Sequence, residues 1–431
     1  MRFSLISLAA VAALATQAYA LPAAPSQALF RNDRVVRIEV KDEATLKALS
    51  DNEEALNFDY FTHNKNIGGN IDIHVSADKF AQFEALKIPY TVLIPDLQAV
   101  IDAEQKDIQE TGTRIQQELQ VQRKKFNAAG EDLSTYAAPV WFQNYHTYAE
   151  HTAWINTQIS QNPGKASAIS FGNSSQGRPQ AGIKIGNGPN HVVFHGTQHS
   201  REWITTMVVE YIADQLLTGS DPRVAGYLSK FTFHVVPIMN PDGFVITQTS
   251  NRMHRKNGQT NGGCVGTDTN RNWGYQWNTG GTSNNPCSDT YRGPKAFSSP
   301  EATNVANYLK ALVPNVAMYI DVHSYSQLWM TPWGYTGTRP SNYNYLLGLA
   351  NTAANAIKAV HGMSFRTGDI YNTIYPASGN SADFAQSIGV KVPFAVELRD
   401  KGQYGFNLPA NQIIPSGEET WAGFAAVLDK L

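Results

Sequence analysis

Apolar residues recur along this chain with two different periods, and the changes of period mark its parts. Over residues 34–94 short apolar runs alternate with helical spacings, predicting strands over 35–40, 57–61, 71–75 and 90–94 and helices over 44–49 and 77–86. The order β-α-β-β-α-β is that of a small α+β unit of the split-βαβ type. Its histidines, His63 and His74, read as isolated surface or strand residues rather than ligands. Residues 97–126 then carry Leu97, Val100, Ile101, Ile108, Ile115 and Leu119 at helical spacing through a Gln/Glu/Asp/Lys-rich background, which predicts one long amphipathic helix. Beyond Pro139 the pattern changes again. Strands are predicted over 168–171, 182–185, 191–194, 231–238, 316–322 and 392–398, with helices over 148–161, 204–217, 300–312, 344–361 and 418–428. Continuous apolar strands interleaved with helices imply an α/β fold with a mixed, mostly parallel sheet covered on both faces.

Composition adds the compartment. At 431 residues and 42% hydrophobic content, the chain can build one large core or two domains. A net charge of -2 gives no general attraction to nucleic acid or anionic membrane, and neither is expected as a partner. Arg2, the apolar segment 3–15 and Ala18-Tyr19-Ala20 form the pattern of a secretory signal peptide over 1–20, so the protein is expected outside the cell. Cys264 and Cys287 lie in a Gly/Asn/Ser-rich loop, and an even count in a secreted chain predicts a disulfide. Asn173-Ser174-Ser175 is a glycosylation sequon, a weak signal by itself. The long helix closes on Arg123-Lys124-Lys125, followed by small residues up to Ala138, where a processing protease could reach the backbone. Residues 21 to about 130 are therefore expected to be a prosegment.

The candidate chemistry centres on His195-Gly-Thr-Gln-His199-Ser-Arg-Glu202-Trp203, at a predicted strand-to-helix junction. His199 and Glu202 are three apart and can share a metal ion. His323 ends the predicted strand 316–322 and can supply the third ligand. Two His and one Glu leave an open position for catalysis on zinc. Glu397 also ends an apolar strand, an expensive place for a carboxylate without a task or a partner; Arg399 beside it offers a structural ion pair as the alternative. The segments 251–256 and 270–273 bring arginines suited to holding a carboxylate or a developing oxyanion. A serine hydrolase would need a Gly-x-Ser-x-Gly motif, and the chain has none.

Six segments, His199-Ser200-Arg201-Glu202-Trp203, Asn240-Pro241-Asp242-Gly243, Asn270-Arg271-Asn272-Trp273, His323-Ser324-Tyr325-Ser326-Gln327, Ile374-Tyr375-Pro376-Ala377-Ser378-Gly379 and Glu397-Leu398-Arg399-Asp400, together resemble the successive motifs of the zinc metallocarboxypeptidases of the pancreatic A/B type. The resemblance covers about 139–431, and the region before it resembles that family's activation segment. It implies an eight-stranded sheet, one Zn2+ per chain on His199, Glu202 and His323, and Asp268 orienting His199. Glu397 would be the general base and Arg255 the oxyanion stabiliser. Asn270, Arg271 and Tyr375 would hold the terminal carboxylate of a peptide, with Arg201 farther out in the cleft. The side-chain pocket would be formed by Met330, Gly334, Ile370, Ala377, Ala382 and Ala395, all uncharged, with Ala382 where members that prefer Lys or Arg carry an acid. An apolar pocket implies a preference for aromatic or large aliphatic C-terminal residues. The departure from the pattern is His254, where an aromatic residue is common. The implied division is a signal peptide over 1–20, a globular prodomain over 21–96, a connecting helix with the activation cleavage region over 97–130, and a catalytic domain over 131–431. The implied partners are peptides or proteins with a free C-terminal carboxylate, the chain's own prosegment as inhibitor, and an activating protease; the implied state is a monomer. A non-catalytic relative that binds peptides is the alternative from another class.

Overall fold

A computed structural model describes residues 29–62, 67–129 and 140–431, with the backbone alone over 123–129. The expected signal peptide, His63 and the small-residue stretch over 130–139 lie outside the described residues.

The amino-terminal unit forms β1 (Arg34–Glu39), α1 (Glu43–Leu56), β2 (Asp59–Tyr60), β3 (Asn70–Val75), α2 (Phe80–Glu84) and β4 (Thr91–Ile94). Its four strands pair antiparallel in the order β2-β3-β1-β4, as the split-βαβ pattern predicts. The strand expected over 57–61 shrinks to two residues because α1 runs on to Leu56. Asn57, in the left-handed region at φ 48°, closes that helix by donating its backbone N–H back to Glu53 and Glu54. Then α3 (Leu97–Ala129) extends as the long helix foreseen, with Leu97, Ile101, Ile108 and Ile115 buried on one side.

The larger unit contains α4 (Tyr148–Gln161), β5 (Ala166–Asn173), β6 (Pro179–Ile185), β7 (Asn190–His195), α5 (Trp203–Thr218), α6 (Val224–Lys230), β8 (Phe231–Val236), α7 (Pro241–Thr249), the short pair β9 (Thr260–Asn261) and β10 (Cys264–Val265), and α8 (Pro300–Leu312). It continues with β11 (Val316–His323), β12 (Leu328–Thr331), α9 (Tyr343–His361), β13 (Arg366–Asp369), α10 (Ile370–Thr373), α11 (Ser381–Ser387), β14 (Val392–Glu397) and α12 (Ile413–Leu428). The main sheet has eight strands in the order β13-β12-β14-β11-β7-β8-β6-β5. Its centre, β14-β11-β7-β8, is parallel, and antiparallel pairs lie toward the edges. All eight residues of β11 are buried, which is why no alternation shows in its sequence.

Helix starts follow local chemistry. The capping box of Thr147 and Glu150 opens α4, and Ser299 with Pro300 at the first turn opens α8. β8 ends at Val236, before Pro237, rather than at the expected 238, because proline has no N–H for the ladder. The expected disulfide Cys264–Cys287 is formed, and Asn173 is exposed at the end of β5.

The long helix is seated by charge as well as by apolar contact. Arg252, 1% exposed, donates to Glu104 at 2.6 and 2.9 Å, to the carbonyls of Arg201 and Phe406, and lies over the Trp203 ring. Removing one partner of such a pair strands a buried charge. Glu104→Ala is expected to lower the stability of the full chain by about 3 kcal/mol, read as the shift of its denaturant unfolding midpoint.

Candidate metal centre and cleft

The carboxyl ends of the central parallel strands meet at one place, where open α/β sheets put their ligands. In register, His195 at the end of β7 stands beside Asp321 of β11, and His323 at the end of β11 stands beside Glu397 at the end of β14. From β7 the chain crosses the sheet end through residues 196–202 and enters α5 directly behind Glu202. This crossing lays His199 and Glu202 against His323.

The two imidazoles converge through Nδ1 on the Glu202 carboxylate. Glu202 Oε1 lies 2.8 Å from His199 Nδ1, Glu202 Oε2 lies 3.1 Å from His323 Nδ1, and the two Nδ1 atoms are 3.1 Å apart. All three residues are buried. Hydrogen bonds alone serve this cluster badly, since protons on both facing nitrogens would set two N–H groups head to head at 3.1 Å. A single divalent cation satisfies all three donors, and two imidazole nitrogens with one carboxylate are a zinc set. The remaining ring nitrogens support the same orientation: His199 Nε2 faces Asp268 Oδ1 at 3.3 Å, and His323 Nε2 faces Asp321 Oδ2 at 2.8 Å. A carboxylate there holds the proton on Nε2 and turns the Nδ1 lone pair inward. Burial would raise Glu202, but the two imidazoles outweigh it and hold the carboxyl well below its usual range.

Around this centre the other expected residues assemble. Asp268, fully buried, accepts from Arg255 at 3.0 and 3.2 Å and from the Asn270 N–H at 2.9 Å, and so ties the His199 side of the centre to the adjacent arginine. Burial opposes its charge, yet Arg255, Arg271 and His199 keep it well below the normal carboxylate range. Arg271 donates to Tyr375 Oη at 2.6 Å and is braced by the carbonyls of Asn270 and Gly281. Glu397 is half-buried, and its Oε2 has no hydrogen-bond partner among the described residues. Burial pushes its carboxyl up to about 8, with His323 opposing and Glu202 adding repulsion. The structural alternative for this pair of positions is excluded, because Arg399 turns away to Glu419 at 2.6 and 2.7 Å.

One cavity is lined by His199, Glu202, Arg255, Asn270, Arg271, His323, Tyr375 and Glu397, and continues onto Met330, Ile370, Ala377, Ala382 and Ala395. Gly334 borders it: a Cβ there would stand 3.1 Å from Ile370 and 2.8 Å from the Ala377 carbonyl. The backbone N–H groups of Gly334 and Tyr335 are pinned by the buried Asp383. His254 lies beside Arg255, held down to about 4 mainly by burial, so it is neutral at neutral pH.

The amino-terminal unit reaches into the same place. Phe61 and Thr62 line the cavity. Arg201 is fully buried beneath this unit, donating to both oxygens of Asp59 at 2.8 Å and to the Tyr60 carbonyl at 3.1 Å, with its guanidinium over Phe406. Asp59 in turn faces His74, which also bonds Asp33 at 2.8 Å. His74 is thus no isolated strand residue, as its sequence context suggested, but part of a charged chain leading to the cleft. Sequence reasoning also missed Asp321 and Asp59; the first is a carboxylate two residues before His323 inside an otherwise apolar run, a readable signal, whereas nothing around Asp59 marks it.

Residues 151–423 match the family model described as zinc carboxypeptidase, and residues 36–104 match that of the carboxypeptidase activation peptide. The chain is similar to a metallocarboxypeptidase A-like protein of Trichophyton verrucosum (strain HKI 0517), 41% identical over 95% of this chain and 96% of that one. It is also similar to carboxypeptidase A2 of Rattus norvegicus, 34% identical over 94% of each. Among solved structures, carboxypeptidase A from Helicoverpa armigera shares the fold with a TM-score of 0.81 at 24% identity, over 93% of this chain and 98% of that one. Thrombin activatable fibrinolysis inhibitor aligns with a TM-score of 0.78 at 25% identity, over 93% and 99%.

Two outcomes follow from the centre and its cover. Zn2+ added to metal-stripped protein is expected to raise its thermal unfolding midpoint, by about 4 kcal/mol of stability at a thousandfold excess over Kd, and Glu202→Gln should abolish the response. For His74, burial alone would lower the pKa, but its bonds to Asp33 and Asp59 raise it to about 9 from 6.5. Its contribution is therefore full below about 6.5 and lost as pH rises through 9. Unfolding midpoints measured across that window should fall by on the order of 2 kcal/mol, and His74→Gln should flatten the decline.

Proposed function

The chain belongs to the zinc carboxypeptidase family, with an activation peptide ahead of the enzyme domain, and from this premise we propose a secreted zymogen whose released enzyme removes aromatic or large aliphatic residues from peptide C termini. The observation that carries the reading is a single cavity. It holds the His199/Glu202/His323 cluster, the free oxygen of Glu397, the Arg271–Tyr375 pair and a wall of uncharged side chains. A metal donor set alone would fit many hydrolases; a paired arginine beside an apolar pocket fits a substrate that ends there.

His199, Glu202 and His323 would hold one Zn2+, which supplies Lewis acidity and acidifies water when bound. Glu397 in its ionised form, which a bound cation would favour, takes the proton of the attacking water on its unpartnered oxygen and returns it to the departing amine. Arg255, its charge steadied by Asp268, faces the oxyanion that develops on the scissile carbonyl. Arg271 has two of its donors fixed by carbonyls, which fixes its plane for a terminal carboxylate, with Asn270 and Tyr375 beside it. Ala377, Ala382 and Ala395 leave room for a large side chain, whose full burial is worth about 1.5–3 kcal/mol. The side chains of that wall, Met330, Ile370, Ala377, Ala382 and Ala395, include no acid, so a Lys or Arg end would be desolvated there without an adjacent counter-charge. The prosegment supports inhibition in place: Asp59 occupies Arg201, and Phe61 and Thr62 stand in the cavity. We place the cleavage that frees the enzyme near 123–125, within the proposed connecting region 97–130, ahead of a catalytic domain over 131–431.

Hydrolysis of a blocked dipeptide ending in Phe should appear after limited trypsin treatment of the secreted protein and vanish with chelator; no activity on ends of Phe, Leu, Lys or Arg from folded, cleaved protein would leave a peptide-binding relative instead. In the activated enzyme, Glu397→Gln should lower kcat by about 10²–10⁴. Ala382→Asp should reverse the ranking of substrates ending in Phe and Lys, measured as the ratio of kcat/KM.

A further inference from the structure

The two histidines of the centre are both backed by carboxylates, yet the sequence motifs account for only one of them. Asp268 behind His199 was expected. Asp321 behind His323 belongs to no motif, and it is the better placed of the two: Oδ2 stands 2.8 Å from His323 Nε2, against 3.3 Å for Asp268 and His199. Both members are buried, with Asp321 at 0% exposure.

Strand geometry explains the alignment. Asp321 and His323 are two apart on β11, so their side chains leave the same face of the sheet. The carboxylate is fixed by further donors, Gln198 Nε2 and Ser381 Oγ, on the same Oδ2 that meets His323. Its other oxygen lies 3.4 Å from His195 Nδ1, and His195 Nε2 meets Tyr319 Oη at 2.6 Å. Every one of these residues is buried, and the ladder pairs His195 with Asp321. A carboxylate can only accept here, so the proton on His323 resides on Nε2 and the Nδ1 lone pair is directed at the centre. Asn270 Nδ2, 3.1 Å from the same Nε2, cannot substitute, because an amide N–H cannot accept that proton.

We infer that Asp321 is the positioning residue for His323, fixing the tautomer and plane of that metal ligand through a carboxylate clamped by Gln198 and Ser381 and flanked by His195. The inference rests on the metal reading of the site given above. It also links the centre to the substrate clamp, since Ser381, which holds Asp321 by its hydroxyl, donates its backbone N–H to Asn270 Oδ1 at 3.0 Å.

The test uses the full chain, with Zn2+ and Co2+ as probes. Zinc affinity is measured by competition with a chromophoric chelator, and the cobalt-loaded protein is followed by its visible absorption. Asp321→Asn keeps the shape of the side chain and removes its charge; Asp321→Ser serves as the second variant should the amide not fold. In either folded variant zinc should bind about 10- to 100-fold more weakly, and the cobalt bands should change as the His323 ring loses its fixed plane. A folded variant, judged by its metal-free unfolding midpoint, that binds zinc within about twofold of the unmodified protein and gives a superimposable cobalt spectrum overturns the inference. Failure of the unmodified protein to take up zinc would instead sink the metal reading of the site, so the two failures are distinct.

Discussion

The structure turns on the cost of burying charge at one end of its sheet. Glu202, Asp268 and Asp321 are all within 2% exposure, and His199, His323, Arg255 and Arg271 lie among them at 5% or less. Each would be several kcal/mol out of place if taken from water alone. What makes the arrangement tolerable is that every carboxylate faces at least one imidazole or guanidinium: Glu202 two imidazoles, Asp268 an imidazole and Arg255, Asp321 the imidazole of His323. The surrounding loops are shaped to deliver those partners. Residues 196–202 link β7 to α5, and the short helical turn after Asp268 is capped by that same carboxylate.

The exception within this economy is Glu397. Its register on β14 places it beside His323, but one of its oxygens is left without a partner, and burial raises its affinity for a proton. A purely structural carboxylate at such a strand end would be expected to find an arginine, and Arg399 was available two residues on; it is committed to Glu419 on α12 instead. On the proposed reading, that free oxygen is the one that would take the proton of the attacking water.

Much of this was legible along the chain, and the reasons for the gaps are physical. Long elements with one buried stripe or a continuous apolar run, such as α3, α4, α8, β7 and β11, were recoverable because their burial is written in their own residues. β12 and β13 escaped because each has four residues, and α7 because its Asn240-Pro241-Asp242-Gly243 start reads as a turn until the rest of the fold buries it. The metal triad was visible as a short pair plus a strand-end histidine. Contacts between the two units were not: the links Asp59–Arg201 and Glu104–Arg252 join residues 142 and 148 positions apart, and a lone acid on either side carries no mark of its partner.

Those long-range links bear on how the precursor is held silent. With the amino-terminal unit in place, the donors of His199, Glu202 and His323 already lie within 4.8 Å of one another. On the proposed reading, inhibition would therefore not work by dismantling the centre. The covering unit touches the periphery: Asp59 pairs with Arg201, Asp72 accepts from the Tyr325 hydroxyl, and Phe61 and Thr62 line the cavity. Release of that unit would require little rebuilding of the centre itself: Arg201 loses Asp59 but keeps Asp289 at 3.6 Å, while the metal donors keep the carboxylates behind them. A preassembled site costs no reorganisation at the moment of reaction, so a cover of this kind can control access without compromising the enzyme it guards.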